Sequence, residues 1–148
     1  MNPSHHVLRI LIVISILLLA ACSSKPATIN KQCFHVNADI EPGIGYCGAV
    51  RGGNQLHISG VTASGEMSAA TTAVYQRLER ILKTHGLSFA NVIKENVYAT
   101  KLDDFIATAP TRKTFYGSDF PAATWVQVDR LFMPAMVLEV ELIAVFPE

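Results

Sequence analysis

The sequence predicts an α+β domain, one sheet with two helices on a single face, in the order βββαβαββ. Three observations carry that expectation. The 148 residues allow one domain with one sizeable core. Six short runs rich in β-branched and aromatic residues, at 31–36, 46–50, 55–61, 92–100, 124–128 and 137–145, alternate with Gly, Pro and Asn turn signals. Between the third and fourth runs, Ala70, Val74, Leu78 and Ile81 recur at helical spacing while Gln76, Glu79, Arg80 and Lys83 face away, the pattern of an amphipathic helix.

Taken in order, the first two strands flank Glu41-Pro42-Gly43, and the third follows Arg51-Gly52-Gly53-Asn54; both are turn sequences. Ser68 is placed to cap the long helix, which ends at His85-Gly86, where glycine suits the left-handed residue beyond a helix. After the fourth strand, Asp103 or Asp104 can cap a first turn through Phe105. Pro110 lacks a backbone donor, so a break is expected there, with the main second helix at 111–116. The last two strands are joined across Met133-Pro134. Side chains alternate between the faces of a strand. Leu138, Val140, Leu142 and Ala144 then form the helix-packed side of the last strand, and Glu139 and Glu141 point the other way. On the fifth strand, Ala123, Trp125 and Gln127 are expected to share the open face with those carboxylates. Two carboxylates on an otherwise apolar strand need water, donors or another subunit, so the open face is expected to pack against copies of itself.

Residues 10–21, ILIVISILLLAA, form an apolar run behind His5, His6 and Arg9. The run is shorter than the ~20 residues that span a bilayer and reads as a secretory signal, its alternatives being an uncleaved anchor or residues fused from an upstream start codon to a cytoplasmic domain. Its ending, Leu19-Ala20-Ala21-Cys22, resembles the bacterial lipobox. That resemblance implies cleavage of 1–21, lipid attachment to Cys22 and a polar tether at 22–30. The domain at 31–148 would then be membrane-anchored at the bacterial cell envelope, facing the periplasm.

Lys and Arg number 12 against 12 Asp and Glu, and removing 1–21 takes away only Arg9. With no basic excess to meet phosphates, nucleic acid is not expected as a partner. Three cysteines are too few for a disulfide scaffold. Once Cys22 is acylated, Cys33 and Cys47 remain, in consecutive strand candidates whose midpoint, residue 40, falls at the turn. They can face one another and bond, unless a bulge or one-residue slip turns them to opposite faces. His57 sits between Leu56 and Ile58, the setting of a structural histidine. No second His or Cys stands at metal spacing, so no metal is expected.

Several segments together resemble a known family. They are Ile44-Gly45-Tyr46, Leu56-His57-Ile58-Ser59-Gly60, Gly86-Leu87 before Val92-Ile93-Lys94, Leu102-Asp103-Asp104-Phe105, Phe120-Pro121-Ala122 and Leu138-Glu139-Val140-Glu141-Leu142-Ile143-Ala144. In order and spacing they are similar to the Rid family, also called YjgF or the reactive-intermediate deaminases. The resemblance implies a chorismate-mutase-like α+β subunit, a homotrimer, clefts for a small-molecule ligand between subunits, and no cofactor. Many members of that family hydrolyse enamines and imines made by pyridoxal-phosphate enzymes, releasing ammonia and a 2-oxo acid.

Such a reaction needs a cation for the substrate carboxylate and a water held near the imine carbon. The resemblance puts the family's arginine directly after Phe-Pro-Ala, where this chain has Ala123. Arg51 and Arg130 are the candidate replacements, each reading first as a solvated loop residue. Glu139 falls on the glutamate that positions water, its alternative being an interface carboxylate; Glu141 reads as structural. Ser59 falls on a cleft serine or is a strand-end serine. Asp103 lines the cleft or caps a helix. Tyr46 covers the cleft mouth or packs on its strand. Trp125 replaces a small residue in the cleft-facing row and turns the site aromatic, or simply fills space. The resulting expectation is a lipid-anchored trimer whose imine or enamine hydrolysis is impaired or redirected, or a non-catalytic binding protein of the same fold.

Overall fold

The computed structural model describes residues 30–147; the expected leader, Cys22 and nearly all of the tether lie outside them. Six strands form one sheet: β1 (Lys31–Phe34), β2 (Ala49–Gly52), β3 (Gln55–Ser64), β4 (Val92–Ala99), β5 (Ala122–Gln127) and β6 (Met136–Val145). The helices are α1 (Glu41–Ile44), α2 (Met67–Thr84), α3 (Leu102–Ala107) and α4 (Ala109–Tyr116). In space the strands run β1-β2-β3-β6-β4-β5. All pairings are antiparallel except β4 with β5, a parallel pair whose crossover is made by α3 and α4.

The expected α+β architecture is present, and the core explains it. Leu138, Val140, Leu142 and Ala144 of β6, Leu56 and Ile58 of β3, and Val97 and Ala99 of β4 are buried. They meet Ala70, Val74, Leu78, Ile81 and Leu82 of α2 in one cluster. Each fully buried Val, Leu or Ile side chain among them contributes about 1.5–3 kcal/mol. Helix α2 stops as its sequence suggests: Gly86 takes φ +71°, and the Gly86 and Leu87 amides donate to Lys83 O and Leu82 O.

Several local expectations are corrected. Helix α2 is preceded by Glu66 in extended conformation, and Ser68 lies inside the first turn instead of capping it. Asp103 and Asp104 likewise sit within the first turn of α3, whose cap position is Lys101; they favour the helix dipole without capping a backbone amide. The break before α4 falls at Thr108, and Pro110 occupies that helix's first turn, where no donor is needed. Strand β1 ends at Phe34 and β2 begins at Ala49. Between them is the helix α1, where only a turn was expected. Its buried Glu41 accepts hydrogen bonds from the amides of Val36, Asn37 and Gly48.

Cys33 and Cys47 are joined in a disulfide, with Cα atoms 5.6 Å apart. The expected cross-strand pairing is not the route: the register partner of Cys33 is Val50, and Cys47 precedes β2. The bond ties β1 to the returning loop. The larger correction concerns β5. Its register sets Ala123 beside Glu95, Trp125 beside Val97 and Gln127 beside Ala99. Glu95, Val97 and Ala99 are on the helix-covered side, so Ala123, Trp125 and Gln127 are too, opposite Glu139 and Glu141.

Candidate functional site

The open sheet face is built around β6. Opposite Glu141, β3 carries a bulge: its register with β6 passes from Ile58–Leu142 to Val61–Val140, so Ser59 and Gly60 face a single residue. The Glu139 carboxylate lies over the α-carbon of Gly60, where any side chain would overlap it. A side chain at 60 would therefore displace the Glu139 carboxylate from this position. Ser59 is committed to the loop before β2, its hydroxyl donating to Cys47 O at 2.7 Å and its amide to Gly48 O at 3.0 Å.

The two carboxylates have different surroundings. Glu141 Oε2 accepts from Asn96 Nδ2 at 3.3 Å and from Tyr98 OH at 3.4 Å. Glu139 has no side-chain hydrogen-bond partner among the described residues. Burial raises its pKa above the ordinary carboxylate value, and the negative charge of Glu141 raises it further. Burial also raises the Tyr98 phenol, aided by Glu141 and then Glu139. Tyr98, Glu139 and Glu141 line an open hollow of about 420 Å³ completed by Val128, Arg130, Leu131 and Phe132. Arg130 is its cationic lining residue, and Phe132 is 71% exposed at its rim.

The remaining sequence-selected residues are dispersed. Arg51 is occupied elsewhere, donating to Gly53 O with its guanidinium 4.0 Å from the centre of the Phe146 ring. Tyr46 is 44% exposed, after α1, and Asp103 is exposed on α3. Ala123 is exposed at the sheet edge on the helix side. Trp125 lies edge-on to Phe105, ring centres 5.3 Å apart, and its Nε1 donates to Glu95 Oε1 at 3.1 Å. Within the chain, then, Glu139 and the Ala123–Trp125 row occupy opposite faces of the sheet. Among the described residues no three His, Cys, Asp or Glu side chains gather as a metal site.

Sequence reasoning missed Glu95. It is 0% exposed and accepts from Tyr75 OH at 2.7 Å, Tyr116 OH at 2.8 Å and Arg112 Nε at 2.8 Å, besides Trp125. Burial and the adjacent Glu95 charge push both tyrosines well above the ordinary phenol range. Burial opposes the Arg112 charge, but Glu95 outweighs it and the guanidinium pKa rises. Arg112 is also walled by Tyr116, Trp125 and Phe120, ring centres 4.6, 5.3 and 5.7 Å away. The available signal was parity: Glu95 precedes Val97 and Ala99 by two and four residues, which puts it on their inward side.

A sequence profile of the family described as Endoribonuclease L-PSP matches residues 36–146. The chain belongs to this family, the Rid or YjgF family. A RutC family protein of Pyrococcus horikoshii is 30% identical over 108 residues, covering 67% of this chain and 85% of that protein. The chain is also similar to a 2-iminobutanoate/2-iminopropanoate deaminase of Dermatophagoides farinae, 28% identical over 109 residues, with 68% and 84% covered. Among solved structures, a YjgF/YER057c/UK114 family member from Mycobacterium tuberculosis superposes with TM-score 0.71 at 26% identity, covering 78% of this chain and 98% of that one. Rid-family membership fixes the fold, and the site chemistry must be argued from the residues present.

Proposed function

We propose that this chain is a homotrimeric Rid-family protein of the bacterial envelope, anchored through an acylated Cys22, with imine- or enamine-hydrolase chemistry in clefts between subunits. The observation that supports the chemistry is Glu139, a carboxylate of raised pKa, without a side-chain partner among the described residues, beside an open hollow. A base of that kind can hold a water and take its proton as oxygen adds to the imine carbon. Returning that proton to nitrogen gives the carbinolamine; when its hydroxyl proton also passes to nitrogen, the C–N bond breaks, ammonia leaves and the carbonyl product forms. Glu139 and the Ala123–Trp125 row lie on opposite faces of one sheet, so a cleft that uses both takes them from two subunits.

With Ala123 in place of the family arginine, the carboxylate end of an imino acid loses its partner, and Arg130 is the cation already beside the hollow. The substrate favoured is therefore one that meets an aromatic, weakly cationic cleft. Ala123 also supports a second reading, a non-catalytic trimer that binds a metabolite or partner. The balanced charge gives no support to RNA as ligand, despite the family's endoribonuclease description. Ammonia release from freshly generated imino acids separates the readings. Release that Glu139→Gln lowers by about a hundredfold supports hydrolysis, and ligand binding with no release from the wild-type protein supports the binding role.

A further inference from the structure

The loop joining β1 to β2 holds a second set of reactive groups, which the proposed hydrolysis does not use and which does not depend on it. Cys33 is exposed on the edge strand and bonded to half-buried Cys47. His35, two residues along, sets Nε2 3.6 Å from the Cys33 sulfur, and its Nδ1 lies 3.0 Å from Glu41 Oε2. Glu41 is 3% exposed. Burial works against its charge, but the Asn37 amide, His35 and the Gly48 and Val36 amides override that and hold the carboxyl below its ordinary range. A side chain at Gly48 would overlap Val36 and Glu41, so the backbone is closed tightly around the carboxylate.

Three backbone amides already satisfy Glu41; the imidazole is an additional partner, and it places its other nitrogen at a sulfur. With Nδ1–H donating to Glu41, Nε2 is the acceptor that faces Cys33. A base oriented by a buried carboxylate and set against a cysteine is the arrangement that generates a thiolate. The other charged groups nearby are few. Lys31 shares the face of Cys33, β2 presents uncharged Val50, and His57 of β3 lies beyond it, bonded to Gln55. Asp39 lies in the loop itself.

We propose that the Cys33–Cys47 bond is a thiol–disulfide exchange centre for small or peptide thiols. Cys33 is the entry sulfur, and His35, oriented by Glu41, stabilises its thiolate. An external thiolate attacks Cys33 Sγ, the Cys33–Cys47 bond breaks, and Cys47 leaves as a thiolate that takes a proton from solvent. A second external thiolate attacks the external sulfur of the mixed disulfide. Cys33 then departs as a thiolate, and His35, taking a proton from solvent at Nε2, pairs with it. Two external thiols become one disulfide, and the protein disulfide becomes two thiols.

The full chain, purified from membranes, is reduced and treated with limiting iodoacetamide at pH 6, and alkylation is read peptide by peptide so that Cys22 does not enter. Cys33 is expected to react at least tenfold faster than Cys47, the gain of about one pKa unit of thiolate stabilisation. His35→Gln is expected to remove that difference, and to lower several-fold the ratio of reduced to oxidised protein at a fixed ratio of reduced to oxidised glutathione. Glutathione should be found on Cys33 in the trapped mixed disulfide of the unsubstituted chain, a readout that needs no variant. Equal alkylation of the two cysteines, rates unchanged by His35→Gln, or a disulfide that glutathione leaves intact in the folded protein would each overturn the proposal and leave a purely structural bond.

Discussion

Glu95 is a charge the core accepts because four donors from three directions converge on it: Tyr75 from α2, Arg112 and Tyr116 from α4, and Trp125 from β5. Removing the carboxylate strands a buried guanidinium and two phenols. Glu95→Ala is expected to cost about 3–5 kcal/mol in urea denaturation, the range for breaking a buried pair from one side. A loss near zero would show that the cluster relaxes or admits water. Glu139 is the opposite case. Its folded pKa lies above the ordinary 4.5. Between that value and the raised one the folded protein binds more protons than the unfolded, so this group makes stability fall as pH rises. Glu139→Gln should therefore stabilise the protein more at pH 7 than at pH 4, read from denaturation midpoints at both. A gain that is equal at the two pH values would mean that the raised pKa is not expressed.

At the scale of elements, periodicity was legible and pairing was not. The four-and-three spacing of Ala70, Val74, Leu78 and Ile81 located α2, and the two-residue alternation in β6 separated its core row from Glu139 and Glu141. The same alternation grouped Ala123 with Trp125 and Gln127 correctly but assigned the group to the wrong face. Both rows of β5 are only weakly polar, and the face is decided by the crossover that brings β5 parallel to β4, which lies outside local sequence. Helix α1 escaped because four residues carry no period; what holds it is Glu41 gathering amides from the loop around it. The disulfide closes that loop across a sequence separation of 14. Cys47→Ser is expected to lower stability by roughly 3 kcal/mol on the chain-entropy model, measured under oxidising conditions. If it lowers stability no further than reduction of the wild type does, the bond alone accounts for the effect.

For the molecule as a whole, the sheet has helices on one side and a carboxylate-bearing face on the other. Much of the candidate site was readable from the closing strand, because Glu139 and Glu141 are out of place on an apolar strand unless something meets them. What could not be read was that Ala123 and Trp125 lie on the other face of the sheet from Glu139, since that depends on strand order. A cleft that uses both faces therefore needs a second copy, and light scattering on residues 23–148 at micromolar concentration should report a trimer; a monomer would leave the two halves of the cleft apart. In the proposed function, Glu139 retains the water-handling half of an imine hydrolase and Ala123 stands where the carboxylate-binding half is expected. Ammonia release from freshly generated imino acids by Ala123→Arg, with and without Glu139→Gln, tests it most directly. Ala123→Arg is expected to raise release by an order of magnitude or more, and adding Glu139→Gln to abolish the gain. Release that is unchanged by Ala123→Arg, or a gain that survives without Glu139, would contradict it.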